Sequence, residues 1–442
     1  MKMTSQLKTL GIFVLSGTLF GVTYLTSRGD GPSTSPFPSA SVAQAEATAV
    51  PAVAPLVEAR APRVVGPEVG VTTPSEAVVT SPELSDRRVQ LALLLDTSSS
   101  MDGLIDQARS QLWRIVNELS RARRDGKAPV LELALFEYGN EGLPEKSGYI
   151  RMVSPFTRDL DRVSEKLFAL STNGGDEFVG HVIKDAIARL DWSKSPTDLK
   201  LVFVAGNESF DQGHVRASAM IRRALERGIT INTIYCGGPL DDDAAGWKRG
   251  ALLADGRFMN IDQDQKIAQI EAPQDAEIQA LSAELNETYV GYGVEGARGL
   301  ERQAAQDVNA RKMKQGAAVQ RSLSKSLAHY KNSSWDLVDG VADGKVDVGA
   351  MADNELPREM RGLSAVDRKN YVAQKATKRN EIKARLNALG AERAAYLEKE
   401  RMKRSPAPGS GSGSGSVSTL DAAMLAAVRD QAKQKGYGFD AE

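Results

Sequence analysis

Residues 89–100 read VQLALLLDTSSS, and this stretch decides the fold. The run 89–95 is apolar at every position but Gln90. A short apolar run of this kind suits a central strand of a parallel sheet, covered on both faces. It stops at Asp96, and beyond the serines Leu104, Ala108, Leu112, Ile115 and Leu119 recur at spacings of four, four, three and four. That is the apolar stripe of an amphipathic helix. Working outward, residues 130–138, 149–153, 199–204 (LKLVFV), 229–235 (ITINTIY) and 257–261 read as further strands. Residues 160–170, 177–190, 214–226 and 244–253 read as helices, with Gly228 a helix stop. Alternation of this kind predicts an α/β fold with a mostly parallel sheet.

In open α/β sheets ligands sit at the carboxyl ends of the strands, so the residues just after each strand carry the functional signal. After the first strand stands the D-x-S-x-S pattern of Asp96, Ser98 and Ser100. One carboxylate and two hydroxyls on one turn offer hard oxygen ligands to Mg²⁺ or Mn²⁺. The bland alternative is an Asp/Ser N-cap for the helix that follows, a contribution of about 1 kcal/mol.

On these residues the chain resembles the von Willebrand factor type A (vWA) family, whose metal-ion-dependent adhesion site (MIDAS) opens with the same pattern. The resemblance runs from about residue 88 to 264 and implies a Rossmann-like, mostly parallel central sheet flanked by helices. In the family a threonine before a later helix and an aspartate after the next buried strand complete the site. Here Gly175 is followed by Asp176, with Thr172 nearby, and the usual T-D-G is replaced by Ala205-Gly206-Asn207-Glu208, so Gly206 takes the aspartate's place. The resemblance therefore implies Asp96, Ser98, Ser100, Asp176 and Glu208 as metal ligands, with Asn207 an alternative to Glu208. Mg²⁺, or Mn²⁺ or Ca²⁺, is the implied ion, its coordination completed by an acidic residue of a protein partner. The A-G-N-E stretch and the tail after it, residues 330–341 and 356–363, resemble a bacterial vWA subgroup with this altered motif.

Composition narrows the classes. Fifty-six basic against fifty-seven acidic residues give a net charge of −1, without the basic excess that nucleic acid calls for. A single cysteine, Cys236, excludes an intramolecular disulfide framework and a thiolate metal cluster, and His181, His214 and His329 lack ligand spacing. No H-E-x-x-H, P-loop or G-x-S-x-G is present, so no enzyme is indicated. Asp241-Asp242-Asp243 reads as an N-cap and first-turn charge for the next helix, with Asp262 and Asp264 in the same role.

Residues 1–27 carry Lys2 and Lys8 before an uncharged stretch, 9–27, which reads as a signal-anchor or a cleaved signal. The positive-inside rule then places the bulk of the chain in the periplasm, tethered to the inner membrane, or secreted after cleavage. Residues 28–87 read as a disordered Pro/Ala/Ser-rich linker and 88–265 as the vWA domain. A mainly helical region, 266–404, follows, in which Tyr289, Tyr292 and several glycines mark a turn-rich stretch; its Trp335, Leu337, Val338 and Met360 suit a small satellite core. Ile382, Leu386, Leu389 and Tyr396 within it sit at heptad-like, coiled-coil spacing interrupted by Arg393. Residues 405–419 form a Gly/Ser linker, and 420–442 a detached amphipathic helix, either a docking peptide or a fraying surface element. The sequence thus predicts an extracytoplasmic protein-binding module; the alternative is a metal-free scaffold acting through its C-terminal helices.

Overall fold

The computed structural model describes residues 87–262, 270–313, 315–404 and 420–439. Residues 1–27, which the sequence reads as a signal-anchor or cleaved signal, nearly all of the linker after them, Asp264 and the Gly/Ser stretch lie outside these residues. Among the described residues no helix is long and apolar enough to cross a membrane.

In chain order the elements are β1 (Arg88–Asp96), α1 (Asp102–Arg121), β2 (Ala122–Arg123), β3 (Val130–Tyr138), β4 (Arg151–Thr157), α2 (Leu160–Phe168) and α3 (Val179–Arg189). β5 (Leu199–Gly206), α4 (Ala217–Glu226), β6 (Thr230–Tyr235), α5 (Ala244–Leu253) and β7 (Phe258–Asn260) complete the α/β part. The helical part comprises α6 (Asp275–Asn286), α7 (Gly293–Lys312), α8 (Gln315–Ser326), α9 (Leu337–Ala342) and α10 (Ala365–Arg404). After it come α11 (Leu420–Gln434) and β8 (Gly438–Phe439).

Six strands form one sheet in the order β4-β3-β1-β5-β6-β7. All neighbours are parallel except β4, which runs antiparallel to β3 at the edge. The run that decided the fold is the central strand, and its alternate side chains feed two cores. Leu91, Leu93 and Leu95 join Leu133, Leu201 and Phe203 beneath α1 and α2. Ala92 and Leu94 join Phe136, Tyr138, Val202 and Val204 beneath α3, α4 and α5.

The helical part lies on the first of these faces. α8 packs on α1, α7 on α2, and α10 on α6 and α8. α1 is therefore buried nearly all round, Trp113 and Glu118 included. At the join Arg321, 1% exposed, is held by Asp161 at 2.6 Å and by Asp307, and its guanidinium lies 4.7 Å from the Trp113 ring centre. Such a network fixes relative placement more surely than it adds stability, because burying the charges offsets most of their attraction.

Five expectations are corrected. The glycine-rich stretch after Tyr289 is a helix, α7: Gly299 lies under Trp335, whose ring would stand 2.3 Å from an added Cβ, so glycine serves close approach here. The apolar seam of α10 meets α6 and α8 rather than a coiled-coil partner, and the interrupting Arg393 pairs with Asp275 at 2.6 Å. Asp243 sits at the N-cap position of α5 without a side-chain bond there, while Asp241 instead accepts from Gly238 N at 2.6 Å and Tyr235 hydroxyl at 3.1 Å. The C-terminal helix is not detached: α11 packs on α1, and β8 pairs with β2, Ala122 opposite Phe439. The satellite core forms around Leu337, Val338 and Met360 with Val290 and Val348, while Trp335 belongs to the core under α1.

His329, after α8, shares a hydrogen bond with the Ser120 hydroxyl of α1. Burial pushes its imidazole down to about 3. The unfolded chain protonates this group near its ordinary value of 6.5, so its neutral form favours the fold above that pH and that contribution is lost as pH falls through the window below it. Urea titrations at pH 7 and pH 5 should show a wild-type loss about 2 kcal/mol larger than that of His329→Gln. Equal losses in the two chains would contradict this assignment.

Candidate functional site at the carboxyl edge of the sheet

β1 lies between β3 and β5, so chain order reverses across it, and the crevice of an open sheet forms beyond the carboxyl ends of such strands. Three loops meet there. The turn after β1 is tied to β3 by Thr97 N donating to Tyr138 O at 2.9 Å. The segment before α3 is drawn in by Asn173 N donating to Thr97 O at 2.9 Å, and by Asn140 Nδ2 donating to Ser171 O at 2.8 Å. The loop after β5 reaches the serines through Asn207 Nδ2, 3.1 Å from Ser100 Oγ.

Asp96 is fully buried at the tip of β1, its Oδ1 accepting from Ser98 N at 2.7 Å. Its Oδ2 has no hydrogen-bond partner. Ser98 Oγ and Ser100 Oγ stand 3.3 Å apart. Neither the short helical turn Ser99–Met101 nor α1 carries a side-chain capping bond at its start. The capping alternative therefore does not account for these serines.

The carboxylate that joins Asp96 is Glu177. Asp176, favoured by its place in the motif, is exposed, whereas Glu177 is 4% exposed and its Oε2 has no partner. The two carboxyl groups stand within hydrogen-bonding reach. Burial raises Asp96 well above the usual carboxylate range, and the neighbouring Glu177 adds to the rise. Burial raises Glu177 as well, opposed by its contacts with Asp96 and Ser98. Gly139 makes the approach feasible: at φ +76° it is left-handed, and a Cβ there would lie 2.7 Å from Asp96 Oδ1 and 2.9 Å from Glu177 Cγ.

The other residues singled out by sequence divide. Glu208 is exposed; its carbonyl accepts from Trp247 Nε1 at 2.8 Å, and its backbone N–H meets Glu177. Thr172 donates its hydroxyl to Asp102 and is engaged away from the serines. Asn207 Oδ1 is buried without a partner. Gly206 has a steric reason: a Cβ there would lie 2.5 Å from Tyr138 hydroxyl, 3.1 Å from Asp96 Oδ2 and 3.2 Å from the Trp247 ring. The Tyr138 phenol, donating to Ala205 O at 2.9 Å, fills the space a longer side chain would need.

No family model and no curated protein matches the chain by sequence. Among solved structures it is similar to the vWA domain of SpRpn10, at 13% identity and a TM-score of 0.31, over 40% of this chain and 88% of that one. The chain resembles vWA domains. A von Willebrand factor type A protein from Catenulispora acidiphila is 16% identical, TM-score 0.31, over 40% of this chain and 39% of that one. Proximal thread matrix protein 1 from the mussel byssus, described with a zinc-occupied MIDAS motif, is 12% identical, TM-score 0.32, over 41% and 43%. The chain thus spans less than half of the byssus and Catenulispora structures. At these identities no residue role passes from the vWA structures to this chain.

The donor set can be tested directly. Among the described residues no group of three or more His, Cys, Asp or Glu stands where it could hold a metal. Asp96 and Glu177 nonetheless leave two buried carboxylate oxygens without partners, beside the Asn207 amide oxygen. Unpaired buried acceptors of this kind are costly, at about 1–3 kcal/mol each. Carboxylate, amide and hydroxyl oxygens are what a hard divalent cation takes, so the residues fit one.

Proposed function

We propose that the chain is a non-catalytic protein-binding module whose carboxyl-edge site holds a divalent cation, Mg²⁺ or Mn²⁺. Asp96 and Glu177 would hold it, assisted by Ser98, Ser100 and Asn207, with exposed Asp176 and Glu208 at the rim. The bound ion would supply a Lewis-acidic position for an oxygen ligand of the partner, an acidic side chain in this reading. The carrying observation is the pair of unpartnered buried oxygens, Asp96 Oδ2 and Glu177 Oε2. The export segment at residues 9–27 would set this module outside the cytoplasm.

The raised carboxyls give the proposal a pH signature. Unfolded carboxylates ionise near their ordinary values of 3.8 and 4.5, whereas the folded pair keeps its proton to higher pH. Without metal, the protonated pair favours the fold in acid, and this contribution is lost as pH rises above those values. A cation binding the ionised pair must therefore stabilise more at high pH. Thermal melts with and without Mg²⁺ should show a larger increment at pH 8 than at pH 5, about 2.7 kcal/mol at a hundredfold excess over Kd. The increment should vanish in Asp96→Asn; an equal increment in that variant refutes the site.

A further inference from the structure

The loops that surround the site carry an uneven charge. Glu141, Glu145, Asp176, Glu208, Asp211 and Asp242 are all exposed on the loops that follow β3, precede α3, or follow β5 and β6. On the same loops the basic side chains are Lys146 and Arg216. Loops at the amino ends of the strands are mixed, with Arg124, Lys127, Lys194 and Arg227 beside Asp125 and Asp191. The near-neutral chain thus hides a polarised α/β unit. An excess of one sign over a single face steers and selects partners of the opposite sign.

An acidic rim alone would only be a solvated edge. Here it encloses Asp96, fully buried with Oδ2 unpartnered, and Glu177 with Oε2 unpartnered. Two carboxylates also consume the two positive charges of a divalent ion, so metal binding leaves the acidic excess of the rim in place, with Asp211 partly offset by Arg249 of α5 at 3.9 Å. Beside it Leu240, in the loop after β6, is 96% exposed. Exposed leucine within a charged rim is the composition of a contact surface, apolar anchor amid polar surroundings.

We propose that this face docks a basic protein segment: lysines or arginines that meet the rim, an apolar residue against Leu240, and one acidic residue directed at the metal. The proposal rests on the reading of the site as a metal-dependent binding face and adds the character of the partner around the coordinating residue. A partner with an acidic surface, however well its carboxylate suited the ion, would be repelled by the loops that carry Asp176, Glu208 and Asp211.

Three fluorescent nonapeptides test this against the full chain by anisotropy, with Mg²⁺ or with chelator. The first has one central Asp flanked by Lys and Leu; the second replaces that Asp by Asn; the third replaces every Lys by Glu. The first should bind about tenfold or more tightly than the third, its affinity should fall as salt rises, and the second should lose the Mg²⁺ dependence alone. Glu141→Gln/Asp211→Asn/Asp242→Asn should weaken the first peptide about tenfold while Mn²⁺ uptake by calorimetry stays unchanged. If the third peptide binds as well as the first and both are lost with chelator, the basic-partner inference is overturned and the metal reading stands. If no peptide binds in either condition, both fall.

Discussion

Removal of residues 420–442 is expected to leave a chain that cannot fold to a soluble monomer, and a synthetic peptide spanning 418–439 should restore it in trans. α11 follows the helical part in sequence but belongs to the α/β part in space. Leu420 and Met424 close over Leu93, Leu95, Phe203 and Ile234 of the sheet and Ala108, Leu112 and Ile115 of α1. Val428 and Leu425 are buried in the same core. Polar contacts fix the register: Asn232 and Gln431 exchange two amide bonds of 3.0 and 2.7 Å, and Leu420 N donates to Gln107 Oε1 at 3.1 Å. Arg429 pairs with Glu118, and Arg257 with Asp430. Truncating one large buried apolar side chain costs about 2–5 kcal/mol, so losing four removes about 8–20 kcal/mol, as much as a typical total stability of about 5–15 kcal/mol. Gel filtration and circular dichroism of the truncated chain, with and without peptide, check this. A folded monomer without residues 420–442 would show that α11 is an appendage.

The second large effect concerns position 206. Gly206→Asp should destabilise the chain by about 3 kcal/mol or more, since it forces atoms into the Tyr138 hydroxyl and sets a third carboxyl beside Asp96 and Glu177. Tyr138→Phe alone should cost about 1 kcal/mol, the bond to Ala205 O. In the double variant the clash is relieved, so the combined loss should fall short of the sum by about 1–2 kcal/mol. Denaturant titration of the four chains measures the coupling. Strict additivity would mean that Tyr138 does not occupy the space of the missing side chain.

The parts legible in sequence were those with a period. The central strand, α1 and the alternation of strands and helices follow from apolar spacing, and the proposed ends fall near the observed ones: β3 is Val130–Tyr138 and α5 is Ala244–Leu253. Loops have no such period. The segment Gly174-Gly175-Asp176-Glu177 offered two adjacent acids, and motif position favoured Asp176; the turn through Gly139 and the bond from Glu177 N to Gln212 Oε1 at 2.6 Å turn Glu177 inward instead. Tyr138 could have been found, since it continues the Ala134, Phe136 alternation to the strand tip beside Asp96. α7 was obscured because Gly296 and Gly299 read as breakers, when their role is to admit Gly291 and Trp335. The docking of α11 was invisible for a different reason: amphipathicity shows that a helix has a buried face and says nothing about which surface covers it.

In the proposed site Asp96 and Glu177 together hold a divalent cation. Calorimetric titration of Mn²⁺ and Mg²⁺ into the full chain and into Glu177→Gln tests it most directly. One-site binding by the wild type is expected, with protons released as the raised carboxyls ionise, and a loss of affinity of about tenfold or more in Glu177→Gln with its proton release abolished. Equal affinities in the two chains, or no binding by the wild type, would contradict it.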